Sequence, residues 1–190
     1  MTNWTIVLWS DAKQVAEQAG LRKQNWPTKN MSPQDFFQNL RSEKQLDLAA
    51  AFISCALPRL ETIAWVTEML PKIRKGHPDF RERRLLRDMT RRWIDDPDDR
   101  GRRDIFDIAD RSDPEWPETL LGLAVFFSGG SIAPPDLPPV LPEGNIASNL
   151  AAAALQSAAI EHAETDEGFL DRALDLAHKV AVNGRESLRS

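Results

Sequence analysis

The residues of this chain that could do chemistry are few and scattered. Cys55 is the only cysteine among 190 residues, which excludes an intramolecular disulfide and a cysteine metal cluster. It lies in the apolar run Ala49–Leu57, where a thiol packs as a small hydrophobe. No G-x-S-x-G elbow offers a serine nucleophile. His77, His162 and His178 have no metal-ligand spacing, so neither a metal nor a cofactor is expected. His162, beside Glu161, Glu164 and Asp166, reads as a cation at a helix C-terminus. Carboxylates are abundant, but none is marked as half of a catalytic dyad. Catalysis is therefore unsupported by any motif, and a non-enzymatic role is the better expectation.

Two constellations remain. The first is basic: between Lys72 and Arg92 nine Lys/Arg stand against three acids, Asp79, Glu82 and Asp88. Arg83, Arg87 and Arg91 fall at i, i+4 and i+8, one stripe of a helix that could meet phosphates or an acidic surface. The plainer reading is a solvated face, neutralised by the acidic run 95–99 and by pairs such as Arg84–Asp88. No aromatic residue interleaves with the arginines, and the net charge of −5 argues against a general nucleic-acid binder.

The second constellation pairs a helix start with a loop. Arg59 and Glu61 lie in the first turn of a helix opened by Pro58. Glu61 suits the positive end of the helix dipole; Arg59 does not, and needs another partner. One expectation places that partner in the loop 128–142; the competing one leaves Arg59 facing solvent. Ser128-Gly129-Gly130-Ser131 is followed there by five prolines between Pro134 and Pro142. Prolines bring carbonyls without N–H donors, so Arg59 can supply the missing donors. The glycines follow an apolar helix rather than a strand. They read as a helix stop, not as the phosphate cradle of a strand–loop–helix motif.

Helices must position these groups. Ser10-Asp11 caps a short helix stopped by Gly20, and Ser32-Pro33-Gln34-Asp35 gives an N-cap, a first-turn proline and an acid three residues on. Leu46, Ala49, Ala50, Ile53 and Ala56 repeat at helical spacing. Residues 79–95 form the most charged helix, with Phe80, Leu85, Leu86, Met89 and Trp93 as its apolar stripe. Ile105, Ile108 and Ala109 face inward from the next, and Leu120 to Phe127 is apolar almost all round, as in a central buried helix. Asn145 caps an alanine-rich helix able to approach its neighbours closely. Thr165 or Asp166 starts a last helix that ends at Asn183-Gly184. Trp65, Trp93 and Trp116 read as core anchors. Trp4, Trp9 and Trp26 either fasten the N-terminal arm or form a partner-binding edge, and residues 4–9 are either a strand or such an edge.

The expectation is an all-α protein of seven or eight helices, a single orthogonal bundle with a proline-rich strap at 128–144. Residues 1–30 form an arm with a short helix, and 31–185 fold as one unit. An apolar fraction of 42% and a charged fraction of 28% are ordinary for a globular chain. Trp4–Trp9 lacks the features of a secretory signal, and no stretch nears the ~20 apolar residues of a spanning helix. A cytoplasmic location is expected.

Ala56-Leu57-Pro58-Arg59-x-Glu61-x-x-x-Trp65, followed by Phe127-Ser128-Gly129-Gly130-Ser131-x-Ala133-Pro134, resembles a bacterial family of helical proteins of unknown function, domain family 6931, over residues 10–182. The resemblance implies no activity. Members encoded near type VI secretion components imply an accessory or adaptor role beside that apparatus, with a protein partner. The alternative is a small-ligand or catalytic site at Arg59, Glu61, Trp65 and Ser128, Gly129, Gly130, Ser131. The least favoured reading is nucleic-acid binding through Arg83, Arg87 and Arg91.

Overall fold

Capping chemistry sets where the chain turns into helix. The computed structural model describes residues 3–73 and 75–188, and among them are nine α-helices: α1 (Ala12–Gln18), α2 (Pro33–Ser42), α3 (Leu46–Ala56), α4 (Arg59–Met69), α5 (Phe80–Asp95), α6 (Asp99–Ala109), α7 (Pro117–Phe126), α8 (Ile146–Glu161) and α9 (Phe169–Asn183). Asp11 accepts from the Lys13 amide at 2.9 Å, and Ser32 from the Asp35 amide at 3.1 Å, so both expected caps are made. Asp98 caps α6 through the Gly101 amide. Asn145 precedes α8 but does not cap it with its side chain. Its amide, like that of Asn149, donates instead to the Gln18 carbonyl at the end of α1.

The expectation of seven or eight helices falls short of the nine found among the described residues, while the separate helix start expected at Pro58 is present. Pro58 holds Leu57 extended, at φ −75° and ψ 152°, a conformation that interrupts the helical ladder. The last helix also begins later than Thr165–Asp166, at Phe169. Residues 4–9 form no strand. The Thr5 amide donates to the Ala181 carbonyl at 3.0 Å and the Trp4 amide to the Gln34 side chain at 2.9 Å, so this segment lies irregularly across α9 and α2.

The core joins all the helices. Ala12, Val15 and Ala16 of α1 share one buried cluster with Phe37, Phe52, Ile53, Trp65, Leu86, Leu121, Leu155 and Leu174. The alanine face of α8, from Ala147 to Ala158, is buried and packs on α7, α3 and α4, the close approach that small side chains permit. Along α7 every residue except Leu120 and Leu123 is buried. No helix among the described residues is long and apolar enough to cross a membrane.

The charged helix α5 departs from its expected face. Its buried residues are Arg83, Leu86, Arg87, Thr90 and Trp93, spaced 3, 1, 3 and 3 along one side, while Leu85 is exposed. Two arginines thus occupy core positions, while Met89 packs against the core as expected and Leu85 does not.

Candidate functional site

The strap leaves α7 at its C-terminus, where the last carbonyls lack intrahelical donors and the helix dipole is negative. Guanidinium groups meet both needs. Arg59 donates to the Ser128 carbonyl at 2.8 Å and, through Nε, to the Gly144 carbonyl at 3.1 Å, so one side chain clips the two ends of the strap together. Arg102 is buried on α6 and donates to the carbonyls of Phe126 at 2.6 Å and Ser131 at 2.8 Å. Arg103 donates to Ser131 at 2.8 Å and Ala133 at 3.1 Å. Asp99 accepts from both Arg102 and Arg103. The hydrogen bonds from Arg103 and then Arg102 hold its carboxyl below the usual range.

Within the strap, Ser131 acts as an internal clasp. Its hydroxyl accepts from the amides of Ala133 and Val140, both at 3.1 Å, and the Ile132 amide donates to the Val140 carbonyl at 2.8 Å. Gly130 adopts φ +68°, and a Cβ there would stand 3.0 Å from a terminal nitrogen of Arg102. The position therefore needs glycine for its backbone and for its space. Gly129 has neither constraint. The helix ends at Phe126, before either glycine, so the pair shapes the strap rather than stopping α7.

The candidate binding residues diverge. Residues two apart on a helix point about 200° apart, and the side chains of Arg59 and Glu61 follow that rule. Glu61 pairs with Arg185 of the C-terminal 3-10 turn Gly184–Leu188 at 3.3 Å, and its other oxygen is buried without a partner. Burial raises its pKa, and Arg185 only partly opposes this. Trp65 points into the core, donating to the Ala173 carbonyl at 2.8 Å. Arg59, Glu61 and Trp65 therefore do not converge on Ser128–Ser131.

The basic stripe is also taken up internally. Arg83 is 4% exposed; it donates to Glu118 at 2.8 Å and clasps both oxygens of Glu161 at 2.7 and 2.8 Å. Burial alone would lower the Arg83 pKa, but the hydrogen bonds to Glu161 and Glu118 raise it. The hydrogen bond from Arg83 likewise lowers that of Glu161. Arg87 donates to the Pro71 carbonyl at 2.7 Å, and only Arg91 of the three is exposed, 3.2 Å from Glu68. Glu118 and Glu161 thus pair with Arg83, and Glu68 with Arg91. The expected Arg84–Asp88 pair is present at 3.3 Å. Arg74, counted in the basic run, and residues 1 and 2 of the arm lie outside the described residues.

Other titratable groups are structural. Burial pushes the Cys55 thiol up to about 12, which leaves no thiolate for nucleophilic attack. Its Sγ lies 3.3 Å from Asn149 Oδ1. His162 ends α8, with Nδ1 3.1 Å from the Ala158 carbonyl. His178 Nδ1 accepts from the Trp4 indole at 2.9 Å, and the Trp26 indole donates to the Leu21 carbonyl at 2.7 Å. Trp4 therefore fastens the arm to α9, Trp26 bonds within the arm and packs against the core, and Trp9 remains exposed.

Sequence reasoning reached Arg59 but missed Arg102 and Arg103. The signal was present: both belong to a helix one turn after an acidic cap, and the carbonyls in need of donors were already evident.

The chain belongs to DUF6931, a family of unknown function, whose model matches residues 36–181. The match runs from within α2 to within α9 and covers the whole strap. No curated protein and no solved structure matches the chain.

Proposed function

We propose that this chain is a non-enzymatic adaptor that docks a protein partner through the outer edge of its proline strap, on the cytoplasmic side of a bacterial type VI secretion apparatus. The observation that supports this reading is a concentration of exposed apolar side chains. Leu137, Val140 and Leu141 are 54%, 52% and 75% exposed and fall within five residues of a loop that arginines hold at both ends. An apolar group displayed on a fixed backbone loses little entropy on binding, which is what a recognition element requires. Prolines 138, 139 and 142 fix φ on either side of Val140 and Leu141. The matching partner is a groove lined by aromatic residues, the surface that takes extended proline segments.

A photo-reactive benzoylphenylalanine at position 141 tests the reading in cells that express the secretion apparatus. Adducts with a component of the apparatus are expected from position 141 and not from Ile160, which is equally exposed but lies on α8. Adducts from position 160 alone, or adducts from 141 only with proteins outside the apparatus, would overturn it.

A further inference from the structure

Arg87 has an imbalance that its neighbour Arg83 does not. It is 7% exposed, yet its charge meets no carboxylate at ion-pair distance among the described residues. One terminal nitrogen is used on the Pro71 carbonyl, and Nε is buried without a partner. Burial, reinforced by the nearby Arg91, lowers its pKa, and Glu118, Glu68 and Asp88 oppose this only in part from beyond ion-pair distance. A buried cation with no carboxylate in direct contact is incompletely compensated, so such a position favours an external anion.

Arg87 lines a pocket of about 270 Å³ between α5 and the segment that follows α4. Lys72, Lys75, Arg84 and Arg91 share its wall, so five cations face a single acid, Asp88. Asp88 is already engaged by Arg84. Lys72 and Lys75 form no ion pair among the described residues, and both are exposed. Ile73 and Phe80 provide an apolar surface in the same pocket. The Arg84 guanidinium stands 5.7 Å from the centre of the Phe80 ring, which steadies that cation at the rim.

We propose that this pocket binds a small organic phosphate, with its phosphate held by Arg87, Arg91, Lys72 and Lys75 and its organic part against Ile73 and Phe80. A phosphate monoester carries about −1.5 to −2 charges near neutral pH and three acceptor oxygens, against a single charge on a carboxylate. With Arg84 paired to Asp88 and Arg91 to Glu68, a surplus of three of the five cations remains, and it matches the phosphate better. A nucleic-acid duplex fits worse, because Arg87 sits inside the pocket where a continuous backbone cannot reach it. The site is independent of the strap and stands or falls separately from the adaptor reading.

Calorimetric titration of the full chain at low salt, with inorganic phosphate, phenyl phosphate, AMP and benzoate, tests the inference. Phenyl phosphate or AMP is expected to bind about tenfold or more tighter than either inorganic phosphate or benzoate. The Lys72→Ala/Lys75→Ala double variant should lose about tenfold in affinity with its Tm unchanged, because both side chains are exposed and form no ion pair among the described residues. The Arg87 Nε–H resonance should move on titration of the native chain, a readout that does not depend on a variant at that buried position. Four results would overturn the proposal: no organic phosphate binding below about 10 mM, inorganic phosphate binding as tightly as its esters, native affinity in the double variant, or a short DNA duplex outcompeting AMP.

Discussion

Arg102 meets Phe126 twice: it donates to the Phe126 carbonyl at 2.6 Å, and its guanidinium carbon lies 4.9 Å from the centre of the ring of that same residue. One side chain thereby caps the C-terminus of α7 electrostatically and covers its last aromatic group. Phe106 stacks on the same ring, with centroids 4.0 Å apart, so α6 grips the end of α7 through both an arginine and a phenylalanine. The strap starts from this grip. Its carbonyls at Ser128, Ser131, Ala133 and Gly144 then take donors from Arg59, Arg102 and Arg103.

The three arginines should not be equal in stability. Hydrogen bonds to charged groups contribute about 1.5–3 kcal/mol each, and more is lost when a buried acceptor is left bare. Arg102 is buried and Arg59 is exposed. Arg102→Ala is expected to cost about 3 kcal/mol, and Arg59→Ala about 1 kcal/mol because solvent can replace its bonds. Urea unfolding of the two variants checks the order. Equal losses, or none at Arg59, would show that the strap is not held from that end.

The two glycines of the strap should separate cleanly. Gly130→Ala forces a side chain into the left-handed region and against Arg102, and is expected to cost about 1–2 kcal/mol. Gly129→Ala meets nothing within 4 Å and should be neutral or stabilising by about 0.5 kcal/mol, through the unfolded state. Thermal melts of both variants decide the matter; a larger loss at Gly129 would contradict the geometry.

Helix starts were legible wherever a side chain announces them, as at Asp11, Ser32 and Pro58. So was the need of Arg59 for strap carbonyls, because proline composition leaves acceptors in excess. The face of α5 was not legible, since apolar periodicity assigns arginine to water. What betrays Arg83 lies far away in the sequence: Glu118 is the one charged residue of α7, and a buried acid requires a buried base. The destination of Glu61 was hidden for a similar reason, because Arg185 lies 124 positions further along, at the opposite end of the chain.

The Arg83–Glu118–Glu161 cluster predicts strong non-additivity. Removing one member of a buried ion pair strands the other, at a cost of about 3–5 kcal/mol, while replacing the pair with apolar groups of similar size is close to neutral. Glu118→Leu alone leaves Arg83 with Glu161, so its loss should fall at the low end. Arg83→Met alone strands a carboxylate that is 1% exposed and should fall at the high end. The double variant Arg83→Met/Glu118→Leu is expected to be more stable than Arg83→Met, and a double-mutant cycle by urea unfolding measures the coupling. Additive losses would mean that the two charges do not depend on each other.

The N-terminal arm should loosen in mild acid. His178 Nδ1 must be unprotonated to accept from the Trp4 indole, and its ring stacks against Phe37 with centroids 6.5 Å apart. Burial lowers its pKa, Arg41 on α2 adds to that, and Asp175 on α9 opposes it. Because the folded value lies below the ordinary value of 6.5, the unfolded chain takes up the proton first. The stabilisation is therefore complete above pH 6.5 and is lost as pH falls through the depressed folded value. A second, separate loss begins below the ordinary Glu value of 4.5, where Glu161, held low by Arg83, starts to surrender its advantage. Tm measured from pH 7.5 to 5.5 should fall in the native chain, with faster amide exchange at Thr5 and Ile6, whose bonds to Ala181 hold the arm down. His178→Gln keeps an acceptor for Trp4 without a titrating ring, and its Tm should be flat over that range. An equal fall in His178→Gln would assign the pH dependence to another group.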